Sequence, residues 1–238
     1  MNIIVLAAGM GLRLKEITKC MPKCMVSVNG ERIIDRMMKN VESLNPKNVI
    51  FITGHLSNIL QEYVMANWNN KYKIKFINNE IYDKTNNIYS LWLANQYLNE
   101  PFLLIESDVY FTQEIFSKNM FSNKNLWFTD YFIEGMDGCM LTADNSKIKK
   151  IEIVRSRLSN YDSNQYKSIG LLYIANQNKK LISLLEKEIK EDNVNIYYDL
   201  LFAKYISKIP IDIHNISPYK WFEIDNQDDL KKAEELFR

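Results

Sequence analysis

The chain has 238 residues, 47% of them hydrophobic, with only 7 Gly and 5 Pro. That is ample material for one large core and too little Gly and Pro for a disordered or fibrous chain. The 30 basic and 29 acidic residues leave a formal charge of +1, so no general electrostatic attraction to nucleic acid or to an anionic membrane is expected, and any anion must be held locally.

Along the chain, Ile3 to Ala8 is a short β-branched apolar run closed by Gly9, the pattern of a buried parallel strand. Glu31 to Leu44 has helical spacing through Ile33, Ile34, Met37, Met38, Val41 and Leu44. Asn48 to Thr53 reads as a strand, Leu56 to Met65 as a helix capped near Ser57, and Lys73 to Asn78 as a third strand. Asn87 to Tyr97 is a helix, and Phe102 to Glu106 a strand running into Ser107-Asp108. Alternating strands and helices imply right-handed crossovers and a mostly parallel sheet, whose ligands sit outside the carboxyl ends of the strands.

After residue 120 the pattern changes. Asn125 to Phe132, Gly138 to Ala143, Ile148 to Val154 and Gly170 to Ala175 read as strands of a partly antiparallel lobe. Leu181 to Ile189, Asp199 to Ile206 and Asp228 to Phe237 read as helices. The expected fold class is α/β: a Rossmann-like, mostly parallel mixed sheet flanked by helices, with a small partly antiparallel lobe. One domain over 1–238 is expected, in halves of about 1–120 and 121–238. Cys20, Cys24 and Cys139, with two histidines, make neither a disulfide framework nor a four-ligand zinc site. With no basic leader and no apolar run near the ~18 residues of a membrane span, a cytoplasmic protein without signal peptide is expected.

The most informative stretch is Leu6-Ala7-Ala8-Gly9-Met10-Gly11-Leu12-Arg13-Leu14, followed by Pro22-Lys23. Small residues directly after a strand let backbone N–H groups approach an anion. Arg13 offers forked hydrogen bonds to phosphate and Lys23 a point charge. The run is neither a Walker loop, which needs Gly-Lys-Ser/Thr, nor a dinucleotide loop, which needs a third glycine.

Both halves of this motif, at this spacing, resemble the signature of the sugar-phosphate nucleotidyltransferase superfamily. The resemblance implies that Leu6, Ala7, Ala8, Gly9, Met10 and Gly11 cradle the phosphates of a nucleoside triphosphate. Asp108, at the end of a buried strand, is placed to hold Mg²⁺. In Trp221-Phe222-Glu223-Ile224-Asp225 the two acids point the same way by the strand period of two. The superfamily pairs a strand-end Asp with a late acidic residue on one metal. Carried over, these are Asp108 and Asp225, with Glu223 close by.

Thr85-Asn86-Asn87-Ile88-Tyr89-Ser90-Leu91 and the Glu223-Ile224-Asp225 segment resemble the bacterial phosphocholine and 2-aminoethylphosphonate cytidylyltransferases, within a match spread from residue 1 to about residue 235. Met136-Asp137-Gly138, Tyr166-Lys167-Ser168 and Ile196-Tyr197-Tyr198-Asp199 are closer to the phosphonate branch. The phosphocholine enzymes hold a quaternary ammonium on aromatic faces. Where their tryptophan aligns, this chain has Asp137-Gly138-Cys139, which disfavours choline and leaves Tyr197, Tyr198, Asp199 and Glu223 for a primary ammonium.

The resemblance thus implies a Mg²⁺-dependent cytidylyltransferase with CTP and a small phosphate or phosphonate acceptor as partners, and a homodimer left open. The acceptor is 2-aminoethylphosphonate, phosphocholine or a phosphorylated amino acid or amide such as phosphoglutamine, for decoration of a cell-surface glycan or lipid. Arg13, Lys23, Asp108 and Asp225 carry the chemistry, and Asn87 and Ser90 fix the nucleoside. Lys167, Tyr198, Asp199 and Glu223 face the acceptor, with Lys167 and then Arg155 as the cation for its anion. The alternatives are a sugar 1-phosphate uridylyl- or thymidylyltransferase and a non-catalytic nucleotide-sensing subunit.

Overall fold

The computed structural model describes residues 1–14, 16–116, 121, 123–155 and 161–238. The first half follows the strand–helix alternation of the sequence. β1 (Asn2–Ala7), β4 (Asn48–Thr53), β5 (Ile74–Asn78) and β6 (Phe102–Glu106) pair in parallel in the order β5-β4-β1-β6. Between them come the small hairpin β2 (Ser27–Val28) and β3 (Glu31–Arg32), then α1 (Ile33–Asn40), α2 (Ser57–Trp68) and α3 (Asn87–Leu93). The central strand β1 is buried at every position, as an apolar strand covered by helices on both faces must be. Each fully enclosed Ile, Val or Leu there contributes ~1.5–3 kcal/mol.

Three helices differ at their ends. The apolar stripe from Glu31 begins as strand β3, becomes α1, and finishes as a 3₁₀ turn over Val41–Leu44 that stops at Asn45 in the left-handed region. α2 starts after Leu56 at φ 52°, and the Ser57 hydroxyl donates to Thr53 Oγ1 (2.8 Å) instead of capping the helix. α3 ends at Leu93, and Asn95–Tyr97 is a separate 3₁₀ turn.

The antiparallel strands expected after residue 120 are present, and they extend the same sheet. Its full order is β5-β4-β1-β6-β11-β8-β12-β10-β9, with β8 (Leu126–Tyr131), β9 (Gly138–Asp144), β10 (Lys147–Val154), β11 (Gln165–Ile174) and β12 (Asp212–Asn215). The long β11 runs antiparallel to β6 on one side and to β8 and β9 on the other. It thereby brings Lys167 beside the carboxyl end of β6. α4 (Asn178–Lys190) and α5 (Tyr198–Tyr205) cover one face, where Trp127 is enclosed against Tyr198 and Phe202. β7 (Val109–Phe111) pairs with β13 (Trp221–Glu223), and α6 (Gln227–Leu236) closes the chain behind a capping box between Asn226 and Asp229. No helix among the described residues is long and apolar enough to cross a membrane.

Candidate active site

The carboxyl ends of β1 and β6 and the segment after β5 open into a cleft of about 740 Å³. Its first wall is the loop after β1. Gly11 sits at φ 61°, and a Cβ there would lie 3.0 Å from Thr18 Cγ2 and 3.3 Å from Lys23 Cβ, so glycine alone fits the turn. The Leu14 N–H and the Thr18 hydroxyl both donate to the Gly11 carbonyl, at 2.9 Å each. The opposite side is pinned by the His55 N–H, which donates to the Ala8 carbonyl (3.2 Å). Gly54 permits that approach: a Cβ on it would lie 2.8 Å from the Ala8 oxygen and 2.7 Å from Tyr82 Cβ.

Lys23, next to Pro22 at the start of a 3₁₀ turn, reaches across this loop. Its ammonium donates to Asp108 Oδ2 and to Asp225 Oδ1, each at 2.6 Å, and Arg13 pairs with Asp225 Oδ2 at 2.7 Å. Burial alone would lower the Lys23 ammonium, but Asp108 and Asp225 outweigh it and hold the group above its ordinary value. Burial pushes Asp225 up, and Lys23 first and then Arg13 bring it below the ordinary carboxylate range. Asp108 and Asp225 lie 117 positions apart, yet the Ile224 N–H donates to the Asp108 carbonyl (3.0 Å) and locks the two acids into one geometry. β13 ends at Glu223, but the alternation continues: Ile224 is fully buried while Glu223 and Asp225 both face the cleft.

Asp108, Glu223 and Asp225 offer carboxylate oxygens all within 4.8 Å of one another. Asp108 Oδ1 is enclosed and has no hydrogen-bond partner among the described residues, so an acceptor remains there after Lys23 is satisfied. Hard oxygen donors in this arrangement fit a magnesium ion.

The second end of the cleft is built by β6, β9, β11 and α5. Lys167 is 7% exposed, and its ammonium donates to Glu223 Oε2 at 3.0 Å. Asp199, 5% exposed, lies beside the Cys139 thiol. Glu106 lines the floor next to Asp199. Burial, then the charges of Asp199, Asp108 and Glu223, push its carboxyl well above the usual range. Burial likewise raises Asp199 and Glu223.

The cleft collects every residue of Leu6–Gly11, together with Arg13, Lys23, Asn87, Ser90, Asp108 and Asp225. Lys167, Arg155, Asp199 and Glu223 line it as well. Asn87 uses its side-chain oxygen to accept from the Tyr198 N–H (2.7 Å), and Ser90 Oγ accepts from Asn79 Nδ2 (3.2 Å), so both are also structural ties. Tyr198 is the exception. Its ring is fully enclosed against Trp127 behind the cleft floor, because as the first residue of α5 it faces the sheet. Glu106, Asn79 and Tyr82 line the cleft and were missed from the sequence. The one available signal was the period of two in Glu106-Ser107-Asp108, which puts Glu106 on the side of Asp108.

Comparison with known proteins agrees with this geometry. A family model described as nucleotidyl transferase matches residues 2–124, more than half of the chain. The choline-phosphate cytidylyltransferase of Haemophilus influenzae is 29% identical over 234 residues, covering 96% of this chain and 94% of that protein. The CTP:phosphoglutamine cytidylyltransferase of Campylobacter jejuni is 26% identical over 260 residues, covering 97% and 98%. The solved structure of the CTP:phosphocholine cytidylyltransferase from Streptococcus pneumoniae superposes with a TM-score of 0.82 at 25% identity, over 100% of this chain and 99% of that one. With the glycine loop, its lysine and its paired acids in one cleft, the chain belongs to the nucleotidyl transferase family.

Proposed function

We propose that this protein is a CTP-dependent cytidylyltransferase. It joins CMP to a small amine-bearing phosphate or phosphonate and releases pyrophosphate. The observation that carries this reading is one cleft with two chemically different ends. The glycine loop, Arg13 and Lys23 meet Asp108 and Asp225 at one end, and an acid-rich pocket built on Lys167, Asp199 and Glu223 forms the other. CTP as the nucleotide is supported by end-to-end likeness to proteins whose names state that nucleotide. Their acceptors, phosphocholine and phosphoglutamine, are small anions that also carry an amine nitrogen or ammonium.

The acceptor's phosphate or phosphonate oxygen is already anionic near neutral pH. It attacks the α-phosphorus in line without a general base, and the P–O bond to the β-phosphate breaks. The residues then align and neutralise rather than shuttle protons. Loop amides after β1 and Arg13 receive triphosphate oxygens. Lys23, held by two acids when no nucleotide is bound, exchanges one of those partners for a phosphate oxygen. Asn87 and Ser90, at the first turn of α3, border the nucleoside. Asp108 and Asp225 would hold Mg²⁺, which supplies charge neutralisation for the leaving pyrophosphate.

A pyrophosphate-release screen tests this, crossing four nucleoside triphosphates with phosphocholine, 2-aminoethylphosphonate, phosphoglutamine and glucose 1-phosphate. Turnover is expected with CTP and a nitrogen-bearing acceptor. Activity confined to UTP or dTTP with the sugar would overturn the substrate assignment. Asp108→Asn should abolish Mg²⁺-dependent release while keeping the fold, and wild-type turnover by that variant would refute the metal assignment.

A further inference from the structure

The C-terminal helix α6 stands apart from the two large cores and closes a third, small one. Leu14, Ile224 and Ala233 are fully enclosed there together with Val28 and Ile33, and Leu230 and Phe237 cover them. Phe237 lies edge-on to Tyr110 with ring centroids 4.7 Å apart, and the Asn29 amide donates to the Glu234 carbonyl (2.8 Å), so the far end of the helix is fastened as well. Two members of this core flank the nucleotide end of the cleft. Leu14 follows Arg13 and Ile224 precedes Asp225, and the side chains of Arg13 and Asp225 pair at 2.7 Å. One small apolar cluster therefore backs both partners of that ion pair.

The start of α6 acts on Asp225 directly. Asp229 Oδ2 accepts from the Asp225 N–H and from the Asn226 N–H, each at 3.1 Å. A capping box needs only the second of these bonds, and the first ties the helix to the acid. The Ile224 N–H is held by the Asp108 carbonyl (3.0 Å). The main chain is thus fixed on both sides of Asp225, by Asp108 before it and by Asp229 after it. A carboxylate goes where its Cα carries it, so these bonds set where Asp225 stands relative to Asp108 and Glu223 in the acid triad. Asn226 caps the helix by its own side chain, accepting from the Asp228 and Asp229 N–H groups at 2.9 and 3.0 Å. α6 therefore keeps half of its cap without the Asp229 carboxylate.

Resting on the cytidylyltransferase reading and its metal assignment, we infer that Asp229 is a positioning residue that holds Asp225 in register with Asp108 for the divalent ion. Asp229 itself lies outside the lining of the cleft. Asp228 supplies the comparison. It carries the same charge in the same first turn, where an acid favours the helix N-terminus. Its side chain, however, is 82% exposed and pairs with Lys231 at 3.8 Å.

The test measures CTP affinity by calorimetry without acceptor, so that no turnover occurs, once in EDTA and once in Mg²⁺. The ratio of the two dissociation constants is the gain that the ion brings. Asp229→Ala should cut this gain about ten-fold, the low end of the cost of losing a partner that orients a metal ligand. Its affinity in EDTA should stay within about three-fold of wild type. Asp229→Glu, which keeps the carboxylate of a capping box, should retain most of the gain. Asp228→Ala should leave the gain unchanged although it removes the same first-turn charge. Melting of the unliganded proteins reports the fold. If Asp229→Ala does not fold, Asp229→Asn takes its place: its neutral oxygen accepts more weakly, and the gain should fall at least about three-fold. An undiminished gain, even with affinity lowered equally in both buffers, overturns the inference, and so does an equal effect of Asp228→Ala. A wild type that binds CTP with no gain from Mg²⁺ overturns the metal assignment and this inference with it. A wild type that binds no CTP overturns the cytidylyltransferase reading.

Discussion

Lys23→Met removes the ammonium that Asp108 and Asp225 share. Both hydrogen bonds are 2.6 Å long, and the lysine side chain is 13% exposed, the acids 21% and 17%. Removing one partner of a fully enclosed ion pair costs ~3–5 kcal/mol, because a buried charge is left alone. Here the acids keep some contact with solvent and Arg13 remains on Asp225, so the lower end, about 3 kcal/mol, applies. For a chain of this size that is a fall in Tm of about 6–12 °C, at ~2–4 °C per kcal/mol. Magnesium changes the comparison. If Asp108 and Asp225 hold the ion as proposed, in the wild type it competes with the ammonium for Asp108 Oδ2 and Asp225 Oδ1, with Asp108 Oδ1 alone unshared, whereas in the variant it meets those oxygens vacated. At a hundred times its Kd the ion returns about 2.7 kcal/mol, so Mg²⁺ should restore most of the variant's lost stability and shift the wild type less. Calorimetric melts near pH 7.5, in EDTA and in Mg²⁺, measure both terms. An unchanged Tm in EDTA, or the same Mg²⁺ shift in both proteins, would refute the shared-oxygen argument. Turnover should drop about 10²–10³-fold in either case, the usual cost of one lost electrostatic contact to the transition state.

Two further outcomes follow from other parts of the cleft. Burial and its acidic neighbours raise the Glu106 carboxyl in the folded protein, so this group's contribution to stability is fully present below the ordinary carboxylate range and is lost as pH rises through the raised value. Glu106→Gln should therefore melt higher than wild type at pH 8, with the gap closing as the pH falls toward 4.5. A gap independent of pH would sink this account. Gly54→Ala puts a methyl 2.8 Å from the Ala8 carbonyl oxygen, displacing the loop that receives phosphates. CTP affinity should fall about ten-fold or more while the unliganded melt moves little, and unaltered CTP titration would show that the clamp between β1 and β4 is irrelevant to binding.

The sequence alone determined the features whose physics is local. The apolar run before Gly9, the small residues after it and the lysine behind Pro22 identify an anion loop at a strand end, and the parallel sheet places it there. Period-two spacing joined Glu223 to Asp225 across a buried Ile224, although the strand itself stops at Glu223. Helix ends were read less well, because Leu56 and Asn45 hold left-handed backbone that tertiary packing imposes. What only the tertiary structure decided is long-range. No local pattern says that Lys23 bridges Asp108 and Asp225, partners 85 and 202 positions away. Nor does it say that β11 inserts beside β6 and carries Lys167 to Glu223 and into the notch of Gly138. Tyr198 and Asp199 are neighbours in sequence, yet the first turn of α5 sends the ring into the core and the carboxylate into the cleft. Burial and charge pairing depend on what the rest of the chain brings alongside, so residue type and spacing could propose the chemistry of this cleft, while its balance of acids and bases came from the folded sheet.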